Sequence, residues 1–240
     1  MTHRTRELTI IAGLIGALGL AACGDDNQPD QGYNPTITPG DFVSAIDNPY
    51  FPLRPGTVFR FSGTLEGASQ TGELTITLDT KSILGVKTVV VRDRVLQDGA
   101  LAEETFDWYA QDTAGNVWYF GEDAKEYKDG KVVATKGSWE AGKDGAKPGL
   151  VMKATPQVGD TYRQEYAQGV AEDMARVLSV DESLATRLGS FTRCLRTEDW
   201  SALEPDVREE KTFCPEVGQV LGITVKGGNE RMELVEIAKP

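Results

Sequence analysis

The chain has 240 residues, 40% of them hydrophobic, with 25 basic and 37 acidic side chains and a net charge of −12. So acidic a balance repels phosphate backbones, which excludes nucleic acid as an expected partner, and an anionic membrane surface would repel the chain in the absence of an anchor. The single histidine is His3. Beyond it no imidazole remains for Ser-His-Asp or Cys-His catalysis or for a His-containing zinc site. Any chemistry falls to carboxylates, Lys, Tyr, Ser or a hard metal; no cofactor is expected and no metal site is assigned.

Arg4 and Arg6 precede an apolar run from Leu8 to Ala22, and Leu20-Ala21-Ala22-Cys23 ends it. A cationic head, an apolar stretch and small residues before a cut are the layout of a secretory signal peptide. The run is 15 residues long, short of the ~20 that span a bilayer, which disfavours a transmembrane anchor. A cysteine directly after the small residues resembles the lipobox of bacterial lipoproteins. That resemblance implies cleavage after Ala22 and acylation of Cys23, with palmitate as a label for it. It places the protein in the bacterial cell envelope, lipid-anchored on an extracytoplasmic face. Gly24 gives no retention signal, so the outer membrane is the expected address where the host has one. Residues 1–22 are thus expected to be a signal, leaving 23 basic and 36 acidic residues.

Residues 23–40 read as the lipidated cysteine and a flexible tether, polar and rich in Pro and Gly. Residues 41–240 read as one β-rich domain. Asp41 to Ile46 is long enough for a helical turn with Asp41 as N-cap. Pro49, Pro52 and Pro55 then forbid helix and predict an extended segment.

From Thr57 onward strand signals dominate. Residues 58–61, 73–78, 87–91, 104–111 and 117–120 are β-branched or alternate in polarity. Asp98-Gly99, Ala114-Gly115-Asn116, Asp129-Gly130 and Asp144-Gly145 supply turns between them. The pattern predicts a mainly β fold: an antiparallel meander forming a curved sheet or half-barrel, with at most one or two short helices. Residues 137–160 hold five glycines and two prolines; with Trp139, Leu150, Val151 and Met152 to bury, they predict a long ordered loop across one end of the sheet. Residues 167–181 fit helical and strand spacing, and strand is preferred.

Cys194 and Cys214 are the two remaining cysteines, and in an exported chain they are expected to form a disulfide. Facing each other on neighbouring antiparallel strands, they set a register in which Leu195 faces Phe213 and Phe191 faces Val217. That register predicts a buried apolar face and a disulfide on the outer side. It also opposes Glu198 to Glu210 and Asp199 to Glu209, leaving Arg196 and Arg208 to relieve the repulsion.

The segments Asn48-Pro49-Tyr50-Phe51-Pro52-Leu53, Asp107-Trp108-Tyr109-Ala110-Gln111-Asp112, Gly115-Asn116-Val117-Trp118-Tyr119-Phe120-Gly121-Glu122, Gly137-Ser138-Trp139-Glu140-Ala141-Gly142 and Tyr162-Arg163-Gln164-Glu165-Tyr166 resemble a group of uncharacterised bacterial envelope proteins, many of them lipoproteins. The resemblance spans most of residues 41–225. It implies an envelope location and a single domain, and no activity.

The densest constellation is the aromatic hairpin of Trp108, Tyr109, Trp118, Tyr119 and Phe120. Adjacent aromatics on a strand point to opposite faces, so one face can be core while the other is covered by the Trp139 loop, a ligand or a partner. Trp108, Tyr109, Trp118, Tyr119 and Trp139 are the candidate ligand-binding residues. Asp107, Asp112, Glu122, Asp123 and Glu140 lie near them, and Glu165, Glu172 and Asp173 follow. Paired carboxylates can hydrolyse glycosides and can bind calcium. The plainer expectation is solvated faces, with Arg163 or Arg176 pairing one of the later acids. The expected function is non-enzymatic: binding an apolar or amphipathic ligand, lipid included, or an envelope partner. The alternative is a carboxylate-dependent hydrolase of envelope glycans. The sequence gives no oligomeric state.

Overall fold

The computed structural model describes residues 32–239. The signal segment and Cys23 lie outside the described residues. What is described is almost entirely antiparallel sheet. Its strands are β1 (Phe42–Val43), β2 (Val58–Leu65), β3 (Ala68–Ile83), β4 (Val86–Gln97), β5 (Ala100–Asp112), β6 (Val117–Lys128), β7 (Lys131–Ala134), β8 (Trp139–Glu140), β9 (Lys147–Met152), β10 (Thr161–Arg163), β11 (Glu165–Tyr166), β12 (Asp173–Thr186), β13 (Gly189–Ser201), β14 (Arg208–Cys214), β15 (Gly218–Lys226) and β16 (Arg231–Ala238).

Two-residue turns drive the meander. Asp98-Gly99 and Asp129-Gly130 both take positive φ at each residue, the mirror-image turn whose twist matches the flanking strands. Glu66-Gly67 and Leu84-Gly85 adopt the same geometry, although neither Glu nor Leu signals it. The strands run longer than local patterns indicate. β3 extends over 16 residues and changes register between Ile76 and Thr80, where a bulge turns Leu78 out to solvent at 84% exposure.

In space the strands follow the order β10-β12-β13-β14-β15-β16-β2-β3-β4-β5-β6-β9-β11. The two ends of that order are consecutive in sequence. Thr161, Tyr162 and Arg163 pair with Arg176, Ala175 and Met174 of β12, whereas Glu165 and Tyr166 pair with Pro148 and Lys147 of β9. One extended segment thus bonds to both edges, and the sheet nearly closes into a barrel. The half-barrel expectation stops short of this closure. Close approach at the seam requires Gly149, because a Cβ there would lie 1.8 Å from the Gln164 carbonyl oxygen.

Three local expectations are corrected. The helical turn sits earlier: Pro39–Asp41 forms a single 3-10 turn, and Phe42 and Val43 then pair with Asp112 and Gln111 as β1. Residues 137–160 do not cross one end of the sheet. They return along the free edge of β6, where Trp139 pairs with Glu122 and Leu150 with Trp118, so their glycines serve turns between short strands. The disulfide is not on an outer surface. Cys194 and Cys214 are bonded at 2.05 Å, and both are 0% exposed. The Pro-rich segment lies over their neighbours: Tyr50 donates its hydroxyl hydrogen to the Arg193 carbonyl, and the Glu216 N–H bonds to the Pro49 carbonyl.

The cysteine register itself is found. Leu195 faces Phe213, Glu198 faces Glu210 and Asp199 faces Glu209; Phe191 instead pairs with Leu184 of β12. Arg196 relieves Glu210 at 3.2 Å and Arg176 relieves Glu198 at 3.0 Å. Of residues 167–181, those from Asp173 on are strand, as preferred, as part of β12 (Asp173–Thr186); residues 167–171 instead form a turn closed by the Ala167–Ala171 bridge.

Candidate functional site in the barrel interior

The five candidate aromatics divide between two faces. Tyr109 and Tyr119 oppose each other across β5 and β6. Their rings stack at 4.7 Å, and Trp139 meets Tyr119 edge-on at 5.4 Å. Trp108 and Trp118, one residue away, turn to the other face. Trp108 is buried there under the Lys81 ammonium, 3.2 Å from its ring centre, and Lys81 in turn bonds to Glu140 at 2.9 Å. Trp118 is half-buried and donates its indole N–H to Asp112 Oδ2 at 2.9 Å. The structure thus brings Tyr109, Tyr119 and Trp139 together and keeps Trp108 and Trp118 apart from them.

The acids divide as well. At the surface, burial works against the charge of Asp112, but Trp118 and Asn116 donate to it and hold its pKa below the usual range. Glu140 is treated alike by Lys143 and Lys81. Asp123 bonds to Lys125 at 2.7 Å, and Glu172 accepts the Gly169 N–H. Asp107, Glu122, Glu165 and Asp173 are not on solvated faces. The first three are 0%, 1% and 1% exposed, and neither Arg163 nor Arg176 pairs with the Glu165 carboxylate: Arg163 donates to its backbone carbonyl and Arg176 to Glu198.

Asp107 and Glu122 oppose each other on β5 and β6, one step from the Tyr109–Tyr119 pair. The Tyr119 hydroxyl lies 2.6 Å from Asp107 Oδ1 and 3.1 Å from Glu122 Oε2. A phenol has one proton to donate. Serving both carboxyls requires that one of them carry its own proton and donate it to the phenol oxygen. The electrostatics agree. Burial pushes the Asp107 pKa up to about 7 against the pull of the Tyr119 hydrogen bond. Burial, then Glu165, Asp107 and Glu103, lifts Glu122 well above the carboxylate range. Glu165 is raised by burial and by Asp173, with Lys211 acting the other way.

A second group adjoins this one. Lys211 is 2% exposed and bonds to Asp199 at 3.1 Å and Glu209 at 3.7 Å. Burial opposes its charge, but Asp199, Glu209 and Asp173 outweigh it and keep the ammonium protonated. Burial pushes Asp173 and Glu209 up to about 7 even so. One cation therefore serves several buried acids, and protons must balance the rest.

Outside the same seam, Tyr33 lies on the barrel. Its hydroxyl donates to the Pro148 carbonyl at 2.7 Å, and Lys147 donates to the Tyr33 carbonyl at 2.6 Å. Its ring sits 5.6 Å from that of Tyr166, with the Arg163 guanidinium 5.8 Å away. Tyr33, Pro35 and Ile37 alternate with exposed neighbours, so part of the segment expected as tether runs as an extended ribbon on the sheet. A small apolar cleft of about 20 Å³, lined by Phe51, Leu53, Phe59, Phe61, Leu74 and Val217, opens elsewhere on the barrel. It has room for little more than one water-sized group.

Fold and site define a nearly closed antiparallel barrel with a carboxyl-bearing interior. No protein-family model and no curated protein matches the chain. Among solved structures, the chain is similar to an exported protein of YmcC-like fold from Bacteroides fragilis NCTC 9343, at 15% identity and a TM-score of 0.48, covering 80% of this chain and 100% of that one. It is also similar to a lipoprotein from Parabacteroides distasonis ATCC 8503, at 11% identity and a TM-score of 0.45, covering 80% of this chain and 99% of that one.

Proposed function

We propose that this chain is a lipid-anchored bacterial envelope protein whose single β domain binds an apolar or amphipathic ligand at the membrane surface without catalysing a reaction. The observation that carries the reading is the fixing of Tyr33 to β9 and β11. Only nine residues separate it from Cys23. With Cys23 acylated, the ten steps between them span at most about 35 Å when fully extended. The barrel is then held beside the bilayer, where amphipathic molecules are concentrated. Trp118 is the candidate contact, because its half-buried ring remains reachable while Tyr109, Tyr119 and Trp139 are packed. The glycan-hydrolase alternative needs a sugar to reach Asp107 and Glu122, and both are sealed from solvent, so it has less support.

Thermal melts of wild type and Trp118→Ala, with and without a lipid extract, test the binding. A ligand of the native state raises the melting point. The extract should raise that of the wild type and leave the variant's unchanged. An equal shift in both would remove Trp118 from the site, and no shift in either would remove the ligand.

A further inference from the structure

We propose that residues 161–171 form a pH-responsive flap: the barrel is closed through them while the carboxyls behind them hold protons, and the segment releases β9 and β12 when those protons leave.

The first observation is mechanical. The flap is held by three residue pairs to β12, two to β9 and the Gln164–Asp173 backbone bond, with Ala167 and Ala171 closing its far end. On one side β12 belongs to a ladder several times longer with β13; on the other, β9 is joined to β6 by three pairs. When the barrel must open anywhere, the shortest ladders part first.

The second observation is an unmet hydrogen-bond requirement. Both carboxylate oxygens of Glu165, on the flap, are buried without a hydrogen-bond partner among the described residues, and so are Glu122 Oε1, Asp107 Oδ2 and the Tyr109 hydroxyl. Facing Glu165 are Asp107 of β5, Glu122 of β6 and Asp173 of β12, with Lys211 of β14 as the opposing cation. Glu103 faces Glu122, and Asp93 faces Tyr109. Lys211 is already held by Asp199 and Glu209. On the outer side Arg163 and Lys147 lie over the Tyr166 ring, and Glu172 faces Arg163. Ionised, Glu165 would meet three acids with no donor of its own. A proton on Glu165 would remove that repulsion and supply the missing donor.

The two observations meet in one residue. Of the strands bearing these acids, only β11 can carry its carboxyl to water without breaking a long ladder. The closed form binds protons that the open form releases, so closure is complete at low pH and weakens as pH rises through about 7, where Asp107 and Asp173 titrate.

Hydrogen exchange on the purified full chain, corrected for the intrinsic pH dependence of exchange, tests this. Between pH 5.5 and 8.5 protection of 161–171 should fall at least tenfold more than that of β2–β4. Glu165→Gln, which keeps the shape of the protonated acid, should abolish most of that fall; Glu122→Gln should reduce it and serves if the first variant does not fold. Equal protection at both pH values, an equal fall in β2–β4, or a fall unchanged by the substitutions would overturn the flap.

Discussion

At the scale of single residues, the Tyr119 hydroxyl is the feature with most resting on it. Among the described residues it alone serves Asp107 Oδ1 and Glu122 Oε2. Tyr119→Phe removes it without changing ring packing against Tyr109 and Trp139. A buried polar atom left without a partner costs about 1–3 kcal/mol, so urea unfolding at pH 6 should show a loss in that range with an unchanged slope. A loss below a few tenths of a kcal/mol would mean that the two carboxyls are satisfied without the phenol. The residues that matter here were half legible. The aromatics stand out in the sequence, and their two-faced display follows from strand alternation. The acids read as solvent-facing because in so acidic a chain clusters arise by chance and are usually solvated, although Glu103, Thr105, Asp107, Tyr109 and Gln111 share one alternating stripe of β5. The stripe is buried because closure encloses the face of the sheet that bears it, and closure is not a property of β5.

At the scale of elements, the β13–β14 pair shows how far a local argument reaches. Two cysteines in a chain read as exported give the register, and the register gives every cross-strand pair from Leu195–Phe213 to Asp199–Glu209. It does not give the burial of the disulfide, which depends on Tyr50 and Pro49 from a distant segment. The disulfide closes a separation of 20 residues, which contributes about 3 kcal/mol in the chain-entropy view. Because both sulfurs are buried, the native protein should show no alkylatable thiol and should resist reductant until denaturant is added. After forced reduction it should refold with stability lower by about that amount. Two thiols alkylated without reductant, by mass, would contradict the pairing. The seam strands were the least legible elements. Residues 161–166 are too short to show a period, and they follow a stretch whose glycines and prolines read as loop.

At the scale of the whole molecule, the meander was legible from turns and alternation, and the nearly closed barrel was not, since it depends on one segment meeting both edges. Its interior and its surface make stability depend on pH in opposite directions. Asp107, Asp173 and Glu209 bind protons more tightly when folded, so their contribution is full at low pH and is lost as pH rises through about 7; burial raises Glu122 and Glu165 in the same direction. Asp112, Glu140 and Asp160 are held below their usual range, so theirs is present above that range and lost as pH falls through their lowered pKa values. The melting point should therefore peak in mildly acidic buffer and decline toward pH 8.5. A melting point that rises steadily from pH 5.5 to 8.5 would show that the interior acids are ionised in the native state.

The proposed function rests on the anchor, because an acylated Cys23 only ten steps from Tyr33 would set the barrel beside the membrane. Its most direct test is the mass of the N-terminal peptide of protein purified from bacterial membranes, alongside Cys23→Ser. The wild-type peptide should begin at Cys23 and carry a diacylglyceryl group, with labelled palmitate incorporated, and the Cys23→Ser protein should take up no label. A wild-type chain that begins elsewhere, or a Cys23→Ser protein that is still labelled, would contradict it.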